Sequence, residues 1–337
     1  LRGIIELFNN LKIGGKIVSA TLVLMGVLVG LIMVAMSLLL MDYVSKSTES
    51  EMVVATSGIK NELEQKKTQM FQLACGFAGN HELIRAIQAN DRKAVFEVSK
   101  KLVKQMNAEY LTVSDASANV IVRSYDFEKF GDKVDNQFNV KTALAGKPIA
   151  AVETGSQIKL AVRAGAPIYD AAGKLIGCAS TGVRLDNNHN LVDDMKKQFN
   201  ADFTVFLGDT RLSTTIKNDK GERNIGTKSA PEVAETVLKQ KKEFSGEAAI
   251  LGQAHITAYA PLLGPDGEVI GMLFSGKSLK SAQDSKNMIL YSIGGISIVI
   301  FILISYVLWV MIKRIIVRPL QGAVRMAESI SKGNLNV

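Results

Sequence analysis

Two stretches of this chain contain no Asp, Glu, Lys or Arg, and they lie near opposite ends: Ile17 to Met41 and Asn287 to Ile312. At 25 and 26 residues, each can cross a hydrocarbon layer of about 30 Å at about 1.5 Å per helical residue. A helix in the core of a soluble domain is rarely that long without a charge. The 245 residues from 42 to 286 therefore read as a folded region slung between two membrane helices.

Flanking charge sets the orientation. Arg2, Lys12 and Lys16 against Glu6 give +2 before the first stretch; Lys313, Arg314, Arg318, Arg325 and Lys332 against Glu328 give +4 after the second. Only +2 of the whole-chain +8 is left for the long middle region. The excess marks both termini as cytoplasmic and residues 42–286 as extracytoplasmic, in a multi-pass protein of the cell (inner) membrane. Tyr43 and Tyr291 fall at the outer interface, Tyr306 and Trp309 at the inner one. The basic balance reports topology, and no nucleic-acid partner is expected. The first apolar run exceeds the roughly 7–15 residues of a signal-peptide core and reads as an uncleaved anchor. Gly26 and Gly30 form a small-x-x-x-small pair that lets membrane helices approach, though plain lipid-facing packing accounts for it equally well.

The middle region holds an internal repeat. Ala166-Pro167-Ile168-Tyr169-Asp170 through Leu185 aligns with Ala260-Pro261-Leu262-Leu263-Gly264 through Leu279 at an offset of 94, with seven identities in twenty positions. A duplicated supersecondary unit accounts for this. Each copy reads as strand, turn, strand, with Gly173 and Gly267 in the turns. An earlier strand pair precedes each hairpin: Tyr110 to Asp115 with Val120 to Tyr125, and Asp202 to Leu207 with Arg211 to Ile216. Helical excursions at Val140 to Ala145 and Pro231 to Lys239, then third strands at Ile149 to Val152 and Phe244 to Ala249, complete two units. The pattern predicts an α+β fold, two antiparallel sheets of about five strands in series with helices over one face. A connecting helix is expected over Asn187 to Phe199, capped by Asp186 or Asn187.

Ahead of the repeat runs a long helical stalk, from about Tyr43 to Cys75. Ile59, Leu63, Lys66, Met70, Leu73 and Phe77 alternate at spacings of four and three, a seam for a neighbouring helix or for the stalk's own domain. Two further helices follow, His81 to Ala89 and Arg92 to Met106. With two cysteines, Cys75 and Cys178, the region is no disulfide scaffold, and whether the pair meets is left open. His81, His189 and His255 are scattered without a second ligand at metal spacing, so neither a metal nor another cofactor is expected.

The order of a stalk helix and two sheets between membrane helices resembles the double Cache family of bacterial and archaeal receptors, over residues 43–279. Arg123-Ser124-Tyr125-Asp126 with Gly131, and Leu160-Ala161-Val162-Arg163 running into Ala166-Pro167-Ile168-Tyr169-Asp170, are similar to carboxylate-binding segments of fumarate and citrate sensors. Tyr125 stands where those sensors carry His. Arg318-Pro319-Leu320, Glu328 and Gly333-Asn334-Leu335 resemble the opening of a HAMP linker, and an apolar stripe from Ile315 to Leu335 fits a helix of a parallel bundle. The chain opens at Leu1 and stops within the first helix of such a linker, as a fragment of a longer protein would.

The resemblance implies two PAS-like modules on a stalk, divided as follows: cytoplasmic N-terminus 1–16, first membrane helix 17–41, stalk and N-terminal helices 42–106, and membrane-distal module 107–186. A connecting helix over 187–200, the membrane-proximal module 201–282, the second membrane helix 287–312 and the HAMP start 313–337 complete the division. It also implies a transmembrane chemoreceptor, a parallel homodimer in the membrane, coupled through a missing cytoplasmic part to a chemotaxis kinase and adaptor. The sensor part of a histidine kinase or of a cyclic-dinucleotide enzyme, and a tethered binding protein that does not signal, are the alternatives.

The candidate site is the arginine pair. An Arg between Val and Ile in a half-buried strand needs an anionic partner, and Arg163, among Ala161, Val162 and Ala164, poses the same question. Two guanidiniums hold a carboxylate well. Tyr125 adds a hydroxyl donor, Asp126 an acceptor for an amine, and Ser180 and Thr181 hydroxyls at the pocket wall. Internal salt bridges to Asp115, Asp126 or Asp170 explain the arginines equally simply. The second copy carries Arg211 but has Thr257 and Ala258 in place of Arg163, so the distal module is expected to bind and the proximal one to transmit. Tyr259 and His255 would line any small proximal pocket. No catalytic motif is visible, and an enzyme is not expected.

Overall fold

The computed structural model describes residues 13–155 and 158–331. Arg2, Glu6 and Lys12 of the first charge flank, and Lys332 with Gly333-Asn334-Leu335 of the tail, lie outside the described residues. The first apolar stretch and the stalk are one unbroken helix, α1 (Ile13–Ala78). After it come α2 (His81–Gln88) and α3 (Arg92–Gln105), capped by the side chains of Asn80 and Asp91. Near the other end, α7 (Leu279–Ile312) carries the second apolar stretch, followed by a π-helical turn (Lys313–Val317) and α8 (Arg318–Ser331). Both stretches are long and apolar enough to cross a membrane, and they turn Leu24, Leu38, Leu39, Ile302 and Leu303 outward, as lipid-facing helices do.

Residues Ser47–Lys280 form a compact unit of their own. Their fold is α+β, with two five-stranded antiparallel sheets. The first contains β1 (Thr112–Asp115), β2 (Val120–Arg123), β3 (Ile149–Thr154), β4 (Leu160–Tyr169) and β5 (Leu175–Arg184). The second contains β6 (Asp202–Leu207), β7 (Thr210–Thr214), β8 (Phe244–Ile250), β9 (Gln253–Leu263) and β10 (Val269–Ser278). Strand order is β2-β1-β5-β4-β3 in one and β7-β6-β10-β9-β8 in the other, the same path twice. One of the repeat's shared glycines has a steric cause in both copies. A Cβ on Gly177 would sit 2.2 Å from the Ser114 carbonyl oxygen, and one on Gly271 would sit 2.0 Å from that of Phe206. A second, in the turns, adopts positive φ at Gly173 and Gly267, +79° and +76°, which any L side chain resists.

Helices cover both faces of the second sheet, not one. In the first sheet, α4 (Phe138–Leu144) lies so close to β4 that a Cβ on Gly165 would meet the Asn139 carbonyl oxygen at 2.4 Å. Beneath it, Val120, Val134, Val140, Ala143 and Cys178 form a core. In the second sheet, Phe206, Tyr259, Met272 and Phe274 pack against Val233 of α6 (Pro231–Ala234) and Val237 of the π-helix Glu235–Lys239. Its opposite face meets α1: the Ser275 hydroxyl donates to the Met52 carbonyl at 2.7 Å and lies 2.8 Å from the Thr56 hydroxyl. The stalk seam is spent on this domain, with Ile59, Leu63, Met70, Leu73 and Phe77 all buried within the chain.

The connecting helix α5 (Asn190–Phe199) starts three residues late, after His189 and without a side-chain cap. Asp186, expected as the cap, instead accepts from the Lys159 amide at 2.8 Å and from Arg184 at 3.2 Å. Both cysteines are free thiols, Cys75 half-buried in α1 and Cys178 buried in β5.

Candidate ligand-binding site

Register decides which predicted residues share a face. In the first sheet, Arg123 pairs with Thr112, Thr112 with Ser180, and Ser180 with Gly165. Arg163 pairs with Gly182, two residues along β5 from Ser180. Arg123, Arg163 and Ser180 therefore all face α4, because side chains two apart on a strand share a face. Thr181 faces the other way, paired with Ala164, and donates to the Tyr110 carbonyl at 2.6 Å. It does not join the wall on which Ser180 stands. The two arginines are three strands apart, about 14 Å across the sheet at about 4.8 Å per strand.

Arg163 is buried, and its guanidinium is enclosed by backbone: Nη1 donates to the Thr154 carbonyl and Nη2 to the Ile158 carbonyl, both at 3.3 Å. Its acidic neighbour is Glu153, at 3.8 Å and equally buried. The carboxylate accepts from the Asn139 backbone N–H at 2.9 Å, at the start of α4. Burial nevertheless wins over Arg163 and these hydrogen bonds, pushing the Glu153 carboxyl up to about 7. Beside them, burial raises the Tyr110 hydroxyl to about 12 against the pull of Arg163. Tyr110 stacks edge-on with Tyr125, ring centroids 6.2 Å apart. Ser180 is satisfied by the Asn139 side-chain amide at 2.7 Å.

Arg123 is held elsewhere. It makes a forked pair with Asp132, at 2.8 and 2.7 Å, and donates to the Lys129 carbonyl at 2.9 Å. Asp126 sits 3.5 Å from the Lys129 ammonium, and Tyr125 is exposed. Arg163, Glu153, Tyr110 and Tyr125 thus form one constellation, with Arg123 and Asp126 at its edge. Glu153, Tyr110, Asn139 and Asp132 were not singled out from sequence. The one signal was Glu153 itself, an acid directly after the apolar run Ile149 to Val152. In the second sheet, Thr257 faces the same way as Tyr259 and His255, all three buried.

The family comparison bears on the second sheet. Residues 183–288 match the family model described as single cache domain 3. The cache match spans α5, the whole second sheet and the start of α7. Over 191 residues, 54% of this chain, the sequence is 26% identical to the sensor histidine kinase DpiB of Escherichia coli (strain K12). The chain spans about a third of that relative's length (33%). Among solved structures, the ligand-binding domain of the Campylobacter jejuni chemoreceptor Tlp3, in complex with 4-methylisoleucine, aligns at 13% identity and TM-score 0.48, covering 72% of this chain and 94% of that one. The sensor domain of the Vibrio cholerae histidine kinase DctB aligns at 12% identity and TM-score 0.48, covering 70% and 98%.

Proposed function

We propose that this chain is the sensory part of a transmembrane chemoreceptor, with residues 42–286 outside the cell membrane and both ends in the cytoplasm. The observation that carries the reading is the connection at the cache-matched sheet. Its central strand β10 ends at Ser278, and α7 begins at Leu279 with no linker between them. A shift in that sheet is passed directly to the second apolar helix. Such helix shifts are typically about 1–2 Å. The π-helical turn and α8 then act as the opening of a HAMP linker in a parallel homodimer, handing the displacement to a chemotaxis kinase and its adaptor. The sensory region itself performs no catalysis and uses no cofactor.

The ligand is a small carboxylate or amino acid held in the membrane-distal module, the first sheet. Arg163 takes the carboxylate, Tyr125 and Tyr110 flank it, Ser180 lies on the same face, and Asp126 is placed at the edge for an amine. Arg123 contributes from the edge if Asp132 yields it. A ligand carboxylate at Arg163 displaces Glu153, which is readily protonated near neutral pH. Signalling requires that the ligand bind two states with different affinity.

The test is a calorimetric screen of the full chain in lipid nanodiscs against carboxylates and amino acids. A ligand at about 100 times its Kd stabilises by about 2.7 kcal/mol. Arg163→Ala is expected to abolish the response and Arg123→Ala to weaken it. Full affinity in both variants would sink the site. The likeness to DpiB favours a second reading, the sensor part of a histidine kinase. The coding sequence beyond Val337 separates the two, as a glutamate-rich coiled coil or a kinase core.

A further inference from the structure

The turn between β8 and β9 breaks the pattern its neighbours follow. Ile250 pairs with Gln253, so Leu251 and Gly252 close a two-residue hairpin. Both have positive φ, +51° and +75°. Positive φ at both central residues is the mark of a type I′ turn, in which Asn-Gly and Asp-Gly are the favoured pairs. A leucine there is strained, because its Cβ crowds the backbone in the left-handed region. Packing does not hold it in place, since Leu251 is 52% exposed. Around it, Ala249, Gly252, Gln253 and Ala254 are exposed as well. From Ala248 to Ala254 the chain carries no charged residue. The β4–β5, β6–β7 and β9–β10 turns, by contrast, carry Asp170 with Lys174, Asp209, and Asp266 with Glu268.

Register fixes which end of the sheet this tip occupies. The compact unit joins the rest of the chain at Ser47 and Lys280. Both junctions lie at one end of the second sheet: β10 finishes at Ser278, and Lys277 lies 3.7 Å from Glu51 of α1. Ser278 pairs with His255, and β9 begins before that, at Gln253 opposite Ile250. The tip therefore projects past the end of β10 by about three residues, about 10 Å at about 3.3 Å each. Nine residues on from Ser278 the uncharged stretch of α7 begins at Asn287, about 13 Å of helix at about 1.5 Å per residue. The two reaches are of one order. A strained, exposed leucine on an uncharged tip suits an apolar surface better than water, and at this end of the domain the chain itself enters a bilayer.

We propose that the β8–β9 hairpin tip is a lipid contact, with Leu251 inserted among the headgroups of the leaflet that faces the domain. The proposal rests on the two apolar helices crossing a bilayer. It uses no ligand site, so a failed ligand screen leaves it untouched.

The test is spin-label accessibility of the full chain in nanodiscs of phosphatidylcholine and phosphatidylglycerol. The label is placed at Leu251→Cys in a Cys75→Ser background, Cys178 being buried. A label at Asp266→Cys, in the turn at the other end of the β9–β10 pair, is the aqueous control. At 251 collisions with a water-soluble nickel chelate should be several-fold rarer than at 266, and collisions with oxygen, which concentrates in lipid, more frequent. Equal chelate access at the two positions overturns the proposal. Shielding of 251 from both reagents also overturns it, because that is the sign of a protein partner such as a second copy of this chain. Should Leu251→Cys fail to fold, Gln253→Cys, exposed beside the turn, carries the same reading.

Leu251→Asn separates lipid contact from turn geometry. Asn fits the left-handed position better, so in a turn that meets only water, amide exchange over residues 249–254 would stay level or slow. A tip anchored in lipid should instead exchange several-fold faster in this variant than in the wild type. Exchange that is level or slower refutes the contact.

Discussion

Glu153 offers the sharpest check on the first sheet, because two large effects oppose each other there. Arg163 at 3.8 Å and the Asn139 backbone N–H favour the carboxylate, while burial favours the carboxylic acid. Burial wins, and the group moves from 4.5 in the unfolded chain to about 7 in the fold. An acid whose pKa rises on folding is fully stabilising below its unfolded pKa and loses that contribution as pH climbs through the folded value. About 2.5 pH units at about 1.36 kcal/mol each give about 3 kcal/mol lost between pH 4.5 and pH 8. Glu153→Gln cannot titrate, so the wild type should lose about 3 kcal/mol relative to the variant over that range. For a domain of this size that is a relative midpoint shift of about 6–12 °C. Thermal unfolding of residues 47–280 at closely spaced pH values measures it, and a carbon-13 NMR titration of the Glu153 carboxyl gives the midpoint directly. A pH-independent difference, or a wild type that gains on Glu153→Gln as pH rises, would show that Arg163 outweighs desolvation and refute the reasoning. A ligand carboxylate that replaces Glu153 should then bind more tightly at pH 6 than at pH 8.

Gly271→Ala forces a methyl group to 2.0 Å from the Phe206 carbonyl and should cost about 2–3 kcal/mol, read by thermal unfolding, whereas Gly267→Ala in the turn should cost about 1–2 kcal/mol from its positive φ alone. Ser275→Ala removes the hydroxyl linking β10 to Met52 and Thr56 of α1; a loss of about 1–3 kcal/mol and faster amide exchange over residues 52–58 are expected. Cys178 is fully buried, with its thiol pushed up to about 12, so thiol reagents should leave it unmodified in the native protein and label it only after denaturation.

What the sequence disclosed and what it concealed divide along the range of the interaction. The apolar stretches were legible because lipid imposes a length and a charge rule on contiguous residues. The duplicated hairpins were legible because backbone crowding at Gly177 and Gly271, and turn geometry at Gly173 and Gly267, admit little but glycine. Strand ends were misplaced by one to two residues, as at Tyr110 and Tyr125, since aromatic residues suit a strand and the turn beside it alike. The partners of the arginines were not legible at all. Asp132 reaches Arg123 only because the chain folds back through the bridge between Asn119 and Lys133. Glu153 reaches Arg163 only because β3 pairs with β4 in the register that sets Ala151 opposite Arg163. Thr181 turns away from the wall that holds Ser180, which the sequence does not reveal because alternation separates neighbours without saying which of them faces the helix.

That contrast bears on which sheet senses. In the first sheet Arg123 and Arg163 each have an acid within salt-bridge distance, and a ligand must compete with Asp132 or Glu153. In the second sheet the Nε of Arg211 has no hydrogen-bond partner among the described residues. Equal contacts therefore favour binding at the second sheet by whatever it costs to break the first sheet's internal pairs. The second sheet also owns β10, the strand that runs straight into α7. A ligand there acts one strand pair from the helix that leaves the domain, since Phe206, against Arg211, pairs directly with Met272 of β10. Occupancy of the first sheet reaches that strand through α1, whose Met52 and Thr56 hold Ser275, and through α5, which joins β5 to β6. If the first sheet is the sensor, Ser275→Ala should weaken the coupling of ligand binding there to changes in α7; if the second is, coupling should survive it.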